Sequence, residues 1–513
     1  MDRRYFLHTA SSAALIAATG RLAAQTLAHN PFTLGVASGS PALDGFVLWT
    51  RLMAATGGEP LPHAPIEVRW ELASDEAFQR IVQSGAALAL PDAAHSVHVE
   101  VVGLAAGVAR YWYRFRVADA ISTVGRTRTL PAPQSTERLR LALASCQNYE
   151  HGYFGAYRHM AQEDLDCVLF VGDYIYEYGI TPNRVRQHNS PTCTTLDAYR
   201  ARYALYKSDA DLQLAHAAFA WVVTWDDHEV ANDYADDRGE ADRGATFLAR
   251  RAAAYRAYWE HQPLRRAQAP RGAAAQLYRR YPWGRSANLH VLDTRQYRDY
   301  QVCTPPHEGG SRTIQDKNCP ARRESTNSLL GAQQEKWLNE GMQRSTAAFE
   351  IVGQQSIMAQ MRMTATRSPD PQPADSFWND SWDGYPNARK TVLESWGVKK
   401  NVLTLGGDVH ATYVSDLQAE FDDPQSPVLA TEIVGTSISS PSWPQAATER
   451  VLRNNPHMKF GKSDQRGYCV LQVQARQASV DLRVIDNARE LGSPVSTAAS
   501  FVVEAGRPGA QRV

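Results

Sequence analysis

Leu169-Phe170-Val171-Gly172-Asp173-Tyr174-Ile175-Tyr176-Glu177 reads as a short, wholly apolar strand that stops at a glycine and then presents Asp173 and Tyr176 three residues apart. A glycine there lets the backbone turn sharply or approach a ligand, and open α/β sheets place their chemistry at the carboxyl ends of their strands. A carboxylate and a phenol therefore leave one strand end together.

Five further stretches share this grammar of an apolar body and a polar tip. Leu139-Arg140-Leu141-Ala142-Leu143-Ala144 runs into Ser145-Cys146-Gln147, and residues 219–224 run into Trp225-Asp226-Asp227-His228-Glu229. Residues 289–292 end at Asp293-Thr294-Arg295, residues 349–352 at Gly353-Gln354-Gln355, and residues 401–405 at Gly406-Gly407-Asp408-Val409-His410. A single Asp after a strand is an ordinary turn or helix cap. Six tips offering Cys, Asp, Tyr, His, Gln and Arg predict a shared metal site at the ends of buried strands. Asp173 has an oxygen for each of two cations, and Tyr176, as phenolate, selects a hard trivalent ion such as Fe(III). A free tyrosine keeps its proton to about pH 10, so a strongly charged ion has to lower that value.

The 513 residues suffice for two or more domains. With 54 basic and 54 acidic residues the net charge is zero, and no electrostatic footprint for nucleic acid is present. Arg3-Arg4-Tyr5-Phe6-Leu7, an uncharged run over 9–20 and Ala23-Ala24 before Gln25 describe an export leader over residues 1–25, too short for a bilayer span. The arginine pair resembles a twin-arginine signal, which implies the Tat machinery as partner and a periplasmic or secreted protein exported folded. No later stretch reaches the ~18 apolar residues of a transmembrane span.

Residues 30–133 carry short alternating runs separated by turn signals, which predict a small all-β, fibronectin-like sandwich with packing or lid duties. A Pro-rich linker over 131–135 precedes the catalytic domain, residues 139–513. Helices are expected over 248–262 and 332–345, with one or two of Arg250, Arg251 and Arg256 near enough to meet an anionic substrate. Residues 363–383 read as a long loop over the mouth of the site, and the tail from Tyr468 as strands at a sheet edge. Cys303 and Cys319 flank a polar loop and are the preferred disulfide, whereas Cys167 and Cys469 read as buried thiols.

Gly172-Asp173-Tyr174-Ile175-Tyr176, the Ser145-Cys146-Gln147 tip, Trp225-Asp226-Asp227-His228-Glu229-Val230-Ala231-Asn232-Asp233 and Gly407-Asp408-Val409-His410 follow in the order of a known family. The chain resembles the calcineurin-like metallophosphoesterases, in their PhoD-like alkaline phosphatase/phosphodiesterase branch. The resemblance implies an α/β fold with a metallophosphoesterase-type β-sandwich core and flanking helices, a Fe(III) and Ca(II) centre, and hydrolysis of small-molecule or lipid phosphate esters outside the cytoplasm. By likeness, Cys146, Asp173, Tyr176 and His410 surround the iron, and Asp173, Asp227 or Asn232, and Asp408 the calcium.

The sequence departs from the wider superfamily: its usual first Asp-x-His is Ser145-Cys146-Gln147, its Gly-Asn-His-Glu is Trp225-Asp226-Asp227-His228-Glu229, and its Gly-His-x-His is Gly407-Asp408-Val409-His410. Gln355 stands where another histidine is usual. Trading imidazoles for carboxylates and amides hardens the second site towards calcium and away from zinc. The expected reaction is attack on phosphorus by a metal-activated hydroxide, with His228 bonding a phosphoryl oxygen or protonating the leaving group and Asn232 as ligand or phosphate donor. Glu177, Asp226, Asp293 and Arg295 are expected to orient these groups, the last two alternatively forming a salt bridge with each other. Competing readings are a phospholipase D-like or nucleotide phosphodiesterase on the same centre, a Fe(III)–tyrosinate oxidoreductase, and a non-catalytic calcium-stiffened surface protein.

Overall fold

The computed structural model describes residues 29–513 apart from 56, 58, 306, 365–374, 398 and 400. The export leader expected over residues 1–25 lies outside the described residues.

Two sheets lie face to face. One has ten strands and is centred on Leu139–Ala144, Cys167–Phe170 and Ala220–Val223, which run parallel; the other has seven and contains the parallel set Ala287–Val291, Phe349–Gly353, Val402–Gly406 and Val428–Val434. Side chains alternate across a strand, so each apolar run serves two buried layers. Leu141, Leu143, Leu169 and Val222 meet Leu289, Ile351, Leu403 and Leu405 between the sheets. Ala142, Val168, Phe170 and Trp221 point the other way, into a layer that includes Tyr157, Tyr203, Leu212 and Tyr255 of helices Gly155–Met160, Leu196–Lys207, Ala210–Ala218 and Gly244–His261. Val352, Val402 and Val434 do the same on the second sheet against Leu338, Met342, Leu393 and Trp396. Burial on both faces removes any need for polar alternation, which is why the runs are mainly apolar, and buried exceptions such as Asn288, His290 and Glu350 bond one another. Parallel strands share a direction, so their carboxyl-terminal tips gather along one edge.

Ile66–Ala73, Ile81–Ala89, Tyr111–Val117, Ala120–Ile121 and Gly125–Thr127 form a separate five-stranded sheet. It packs through Val68, Leu72, Tyr113 and Phe115 onto Phe46, Leu48, Val97 and Val99. The strands that carry those last four, Gly45–Arg51 and Ser96–Val101, belong to the ten-stranded sheet, joined to it by Val36–Ala42 beside Ala220–Val223. The N-terminal sandwich thus shares a hydrogen-bonded layer with the core that carries the tips.

Cys303 and Cys319 are disulfide-bonded, and Cys146, Cys167, Cys193 and Cys469 are free and buried. Part of the stretch expected as a loop is strand: Met363–Thr364 and Asp375–Trp378 pair with each other, and Asp375–Trp378 also with Thr313–Gln315. In the tail, Arg466–Val473 pairs directly with Leu139–Ala144 well inside the sheet, and the edge is Arg507–Arg512. No helix of the described residues is long and apolar enough to cross a membrane.

Candidate metal centre

The tips interlock through backbone that only particular residues allow. Gly172 has φ 115°, and a Cβ there would lie 2.4 Å from the Asp226 Cβ. A Cβ on Gly407 would lie 2.5 Å from the Ser145 Oγ, so tips from the two sheets touch. Cys146 (φ 59°), Asp173 (59°), Asp408 (65°) and His410 (55°) are all left-handed. Non-glycine residues seldom adopt that region, at about 1–3 kcal/mol each, and where they do they cluster at functional sites.

Among the described residues, two groups of potential ligand atoms result, each with its atoms within 4.8 Å of one another: Cys146, Asp173 and His410, and Asp173, Asp227 and His228. Asp173 belongs to both. The Tyr176 hydroxyl donates to Asp173 Oδ2 at 2.8 Å and lies 3.1 Å from His410 Nε2. His410 Nδ1 is 2.8 Å from the Pro441 carbonyl, to which it can only donate, and this leaves Nε2 as the acceptor facing the cluster. His228 Nδ1 is held 2.8 Å from Glu177 Oε2, and its ring lies 4.1 Å from the ring of Tyr176 and 5.1 Å from that of Tyr178. Glu177 also accepts from the Asn232 amide at 2.7 Å, so one carboxylate orients two of the expected residues.

The donor set fits cations. Asp173 Oδ1 and Asp227 Oδ1 are buried without a hydrogen-bond partner, and a buried unsatisfied polar atom costs about 1–3 kcal/mol, more when charged. Burial, then Asp173 and Cys146, push the Tyr176 phenol well above its ordinary range; burial and Asp173 do the same to the Cys146 thiol. Asp408 is pushed up to about 7 by burial, which Arg295 opposes and Asp227, Asp380 and Asp173 reinforce. For His228, burial works downward, yet Asp227, Asp173 and Glu177 together raise it well above its ordinary value. Closely packed acids that resist ionisation become a stable anionic set once positive ions sit among them.

The remaining expected residues take other positions. Asn232 Nδ2 donates to Asp233 and Glu240, each at 2.8 Å. Asp293 accepts from the amides of Arg295 and Gln296 and caps its own turn. The alternative of an Asp293–Arg295 salt bridge gives way to a longer-range network: fully buried Arg295 donates to Asp226 at 2.5 Å and Asp380 at 2.7 Å, and Arg298 joins Asp380 at 2.6 Å. Gln355 Nε2 donates to Thr224 Oγ1, Trp225 O and Leu292 O, bracing strand ends of both sheets. Arg250, Arg251 and Arg256 are engaged with Tyr199, Asp236 and Glu260.

Sequence reasoning missed the loop after Val428–Val434. Ser440 Oγ lies 2.7 Å from the Tyr176 hydroxyl and donates to the Cys146 carbonyl at 2.9 Å, Pro441 receives His410, and Arg466 ties the Ser440 and His410 carbonyls together. A serine and a proline in a loop carry no local signal of such a role.

Residues 141–482 match the family described as PhoD-like phosphatase, and residues 16–131 match the N-terminal domain of PhoD-like phosphatases. The chain is 44% identical over 506 residues to alkaline phosphatase D of Bacillus subtilis (strain 168), covering 96% of this chain and 84% of that one. A solved structure of PhoD superposes with a TM-score of 0.87 at 43% identity, over 96% of this chain and 93% of that one. The purple acid phosphatase PPD1 from yellow lupin seeds aligns with a TM-score of 0.53 at 10% identity, over 92% of this chain and 74% of that one. At that identity the likeness concerns the fold alone.

Proposed function

This chain belongs to the PhoD-like phosphatase family and is a phosphate-ester hydrolase, and from that premise we propose that it works with Fe(III) and Ca(II), to both of which Asp173 would contribute. Cys146, Tyr176 and His410 would hold the iron with it, and Asp227 or Asn232, and Asp408, the calcium. The carrying observation is the shared position of Asp173 in two ligand groups, with Oδ1 buried and unpaired. When bound, such ions lower the pKa of water and neutralise charge on phosphoryl oxygens.

The chain's own part is orientation and proton transfer. Glu177 fixes the His228 ring through Nδ1 and leaves Nε2 to donate to a phosphoryl oxygen or the leaving oxygen. Arg295 ties Asp226 and Asp380 together beside Asp227. Pro441 sets the His410 tautomer so that Nε2 faces the cluster.

Substrates are small-molecule or lipid phosphate esters, met outside the cytoplasm after export under the twin-arginine leader. Residues 30–133 act as a packing domain for the catalytic unit over 139–513. Elemental analysis of the purified protein, paired with rates on a nitrophenyl monoester and a bis-nitrophenyl diester, tests the reading. One equivalent of iron, activity lost reversibly on calcium chelation at constant iron, and turnover of the monoester are expected; zinc in place of both ions would overturn the metal assignment, and a diester-only profile the monoesterase one. Export is tested by Arg3→Lys with Arg4→Lys, which should retain the precursor in the cytoplasm.

A further inference from the structure

Behind Asp173 lies a carboxylate that belongs to neither ligand group. Glu229 is fully buried, and its two oxygens accept from three backbone amides: Oε1 from Tyr174 at 2.5 Å, and Oε2 from Asp226 at 2.8 Å and Asp173 at 3.2 Å. These amides belong to two different tips, those after Cys167–Phe170 and Ala220–Val223. They meet where Gly172 approaches Asp226 so closely that no Cβ fits. Asp173, one of the three donors, is left-handed, a conformation that persists only where its surroundings over-determine it.

We infer that Glu229 is a positioning residue: its carboxylate clasps the two strand ends together and sets the backbone from which Asp173 reaches both ligand groups. The inference rests on the reading of Asp173 as the shared ligand. Glu229 approaches neither substrate nor ion, and acts through the direction it gives the Asp173 carboxylate. A glutamine has the same shape but one acceptor oxygen. Its amide nitrogen opposes the Tyr174 N–H in one orientation, and the Asp173 and Asp226 N–H groups in the other.

The second sheet holds a natural control. Glu432, also fully buried, accepts from the amides of Met358 at 2.6 Å and Ala359 at 2.9 Å, with Arg389 and Asp383 as its charged neighbours. It is the same kind of clasp without candidate ligands attached.

The test uses the full-length exported protein carrying Glu229→Gln, Glu229→Asp or Glu432→Gln. Calcium is removed with chelator and Ca²⁺ rebinding is followed by calorimetry, alongside amide hydrogen exchange over residues 170–178 and 224–229. Glu229→Gln should bind Ca²⁺ about 10–100-fold more weakly, the range typical when a partner behind a ligand is lost, and the amides of Asp173, Tyr174 and Asp226 should exchange faster. Glu229→Asp, which keeps a carboxylate at shorter reach, should recover part of both and serves alone if the glutamine variant does not fold. Glu432→Gln should lose stability at unchanged Ca²⁺ affinity. Wild-type Ca²⁺ affinity and wild-type exchange in Glu229→Gln would overturn the inference. A parent protein that takes up no Ca²⁺ would count against the two-ion reading alone, and the exchange rates would still decide for or against Glu229.

Discussion

The Tyr176 hydroxyl lies 2.8 Å from Asp173 Oδ2, so the phenol three residues downstream is built directly onto the carboxylate shared by both ligand groups. Burial and Asp173 oppose its ionisation, and the proposed trivalent ion would make phenolate the stable form there. If iron is bound as proposed, the purified protein should absorb visible light through phenolate-to-iron charge transfer, and Tyr176→Phe should bleach it and lower iron content. Ser440→Ala, which removes the hydroxyl 2.7 Å from the phenol oxygen, should shift the band without abolishing it. An unchanged spectrum in Tyr176→Phe would remove tyrosine from the iron.

Arg295 is enclosed between Asp226 and Asp380, with its unpaired Nη2 3.9 Å from Asp227 Oδ1. Removing one partner from a buried ionic network leaves uncompensated charge and costs about 3–5 kcal/mol. Arg295→Met should lose about that much in urea unfolding at constant m-value. Arg295→Lys should recover little, because a single ammonium does not reproduce two directed contacts from one planar fork. A shift below about 1 kcal/mol in Arg295→Met would show that the network contributes little.

What was legible in the sequence and what was not divides along the range of the interactions. The runs before Cys146, Asp173, Asp227 and Asp408 stand out because strands covered on both faces need uniform apolarity, a local property, and their tips bear ligand-type residues next to it. The partners of Arg295 were not legible, since Asp226 and Asp380 lie 69 and 85 residues away and arginine looks the same paired or free. Val36–Ala42, Val-Ala-Ser-Gly-Ser-Pro-Ala, was not legible as a strand, and nothing local tells it to join Ala220–Val223. Asp375–Trp378 was hidden by the polar, Pro-containing stretch around it; its pairing with Thr313–Gln315 spans some sixty positions.

Glu432 carries a pH signature that is separable from catalysis. Burial raises its carboxyl from the usual 4.5 to about 7, against the lowering by the Met358 and Ala359 amides and Arg389. The folded protein thus holds this proton more tightly than the unfolded chain does. Its contribution to stability is complete below about pH 4.5 and is lost as pH rises through about 7. At about 1.4 kcal/mol per pH unit this amounts to about 3–4 kcal/mol in all, of which about 2–3 kcal/mol falls between pH 5 and pH 8. Urea unfolding at pH 5 and pH 8 should differ less for Glu432→Gln than for the parent by about that amount, and parallel behaviour of the two proteins would assign the slope to other groups.

His228 should reveal its role through the leaving group. Its Nδ1 is tied to Glu177 and its ring is packed against Tyr176, so only Nε2 is left for chemistry. The Asp227, Asp173 and Glu177 carboxylates overcome the effect of burial and favour imidazolium, which is a proton donor at neutral pH. A donor to the leaving oxygen matters most when that oxygen is basic, and general-acid assistance is typically worth about 10²–10⁴-fold. His228→Asn should therefore slow an alkyl phosphate by about that factor and a nitrophenyl phosphate, whose leaving group needs no proton, far less. Glu177→Gln should show the same pattern in weaker form, because it loosens the ring without removing it. An equal loss for both substrates would instead make His228 a binder of phosphoryl oxygen, whose contribution does not depend on where the departing electrons go.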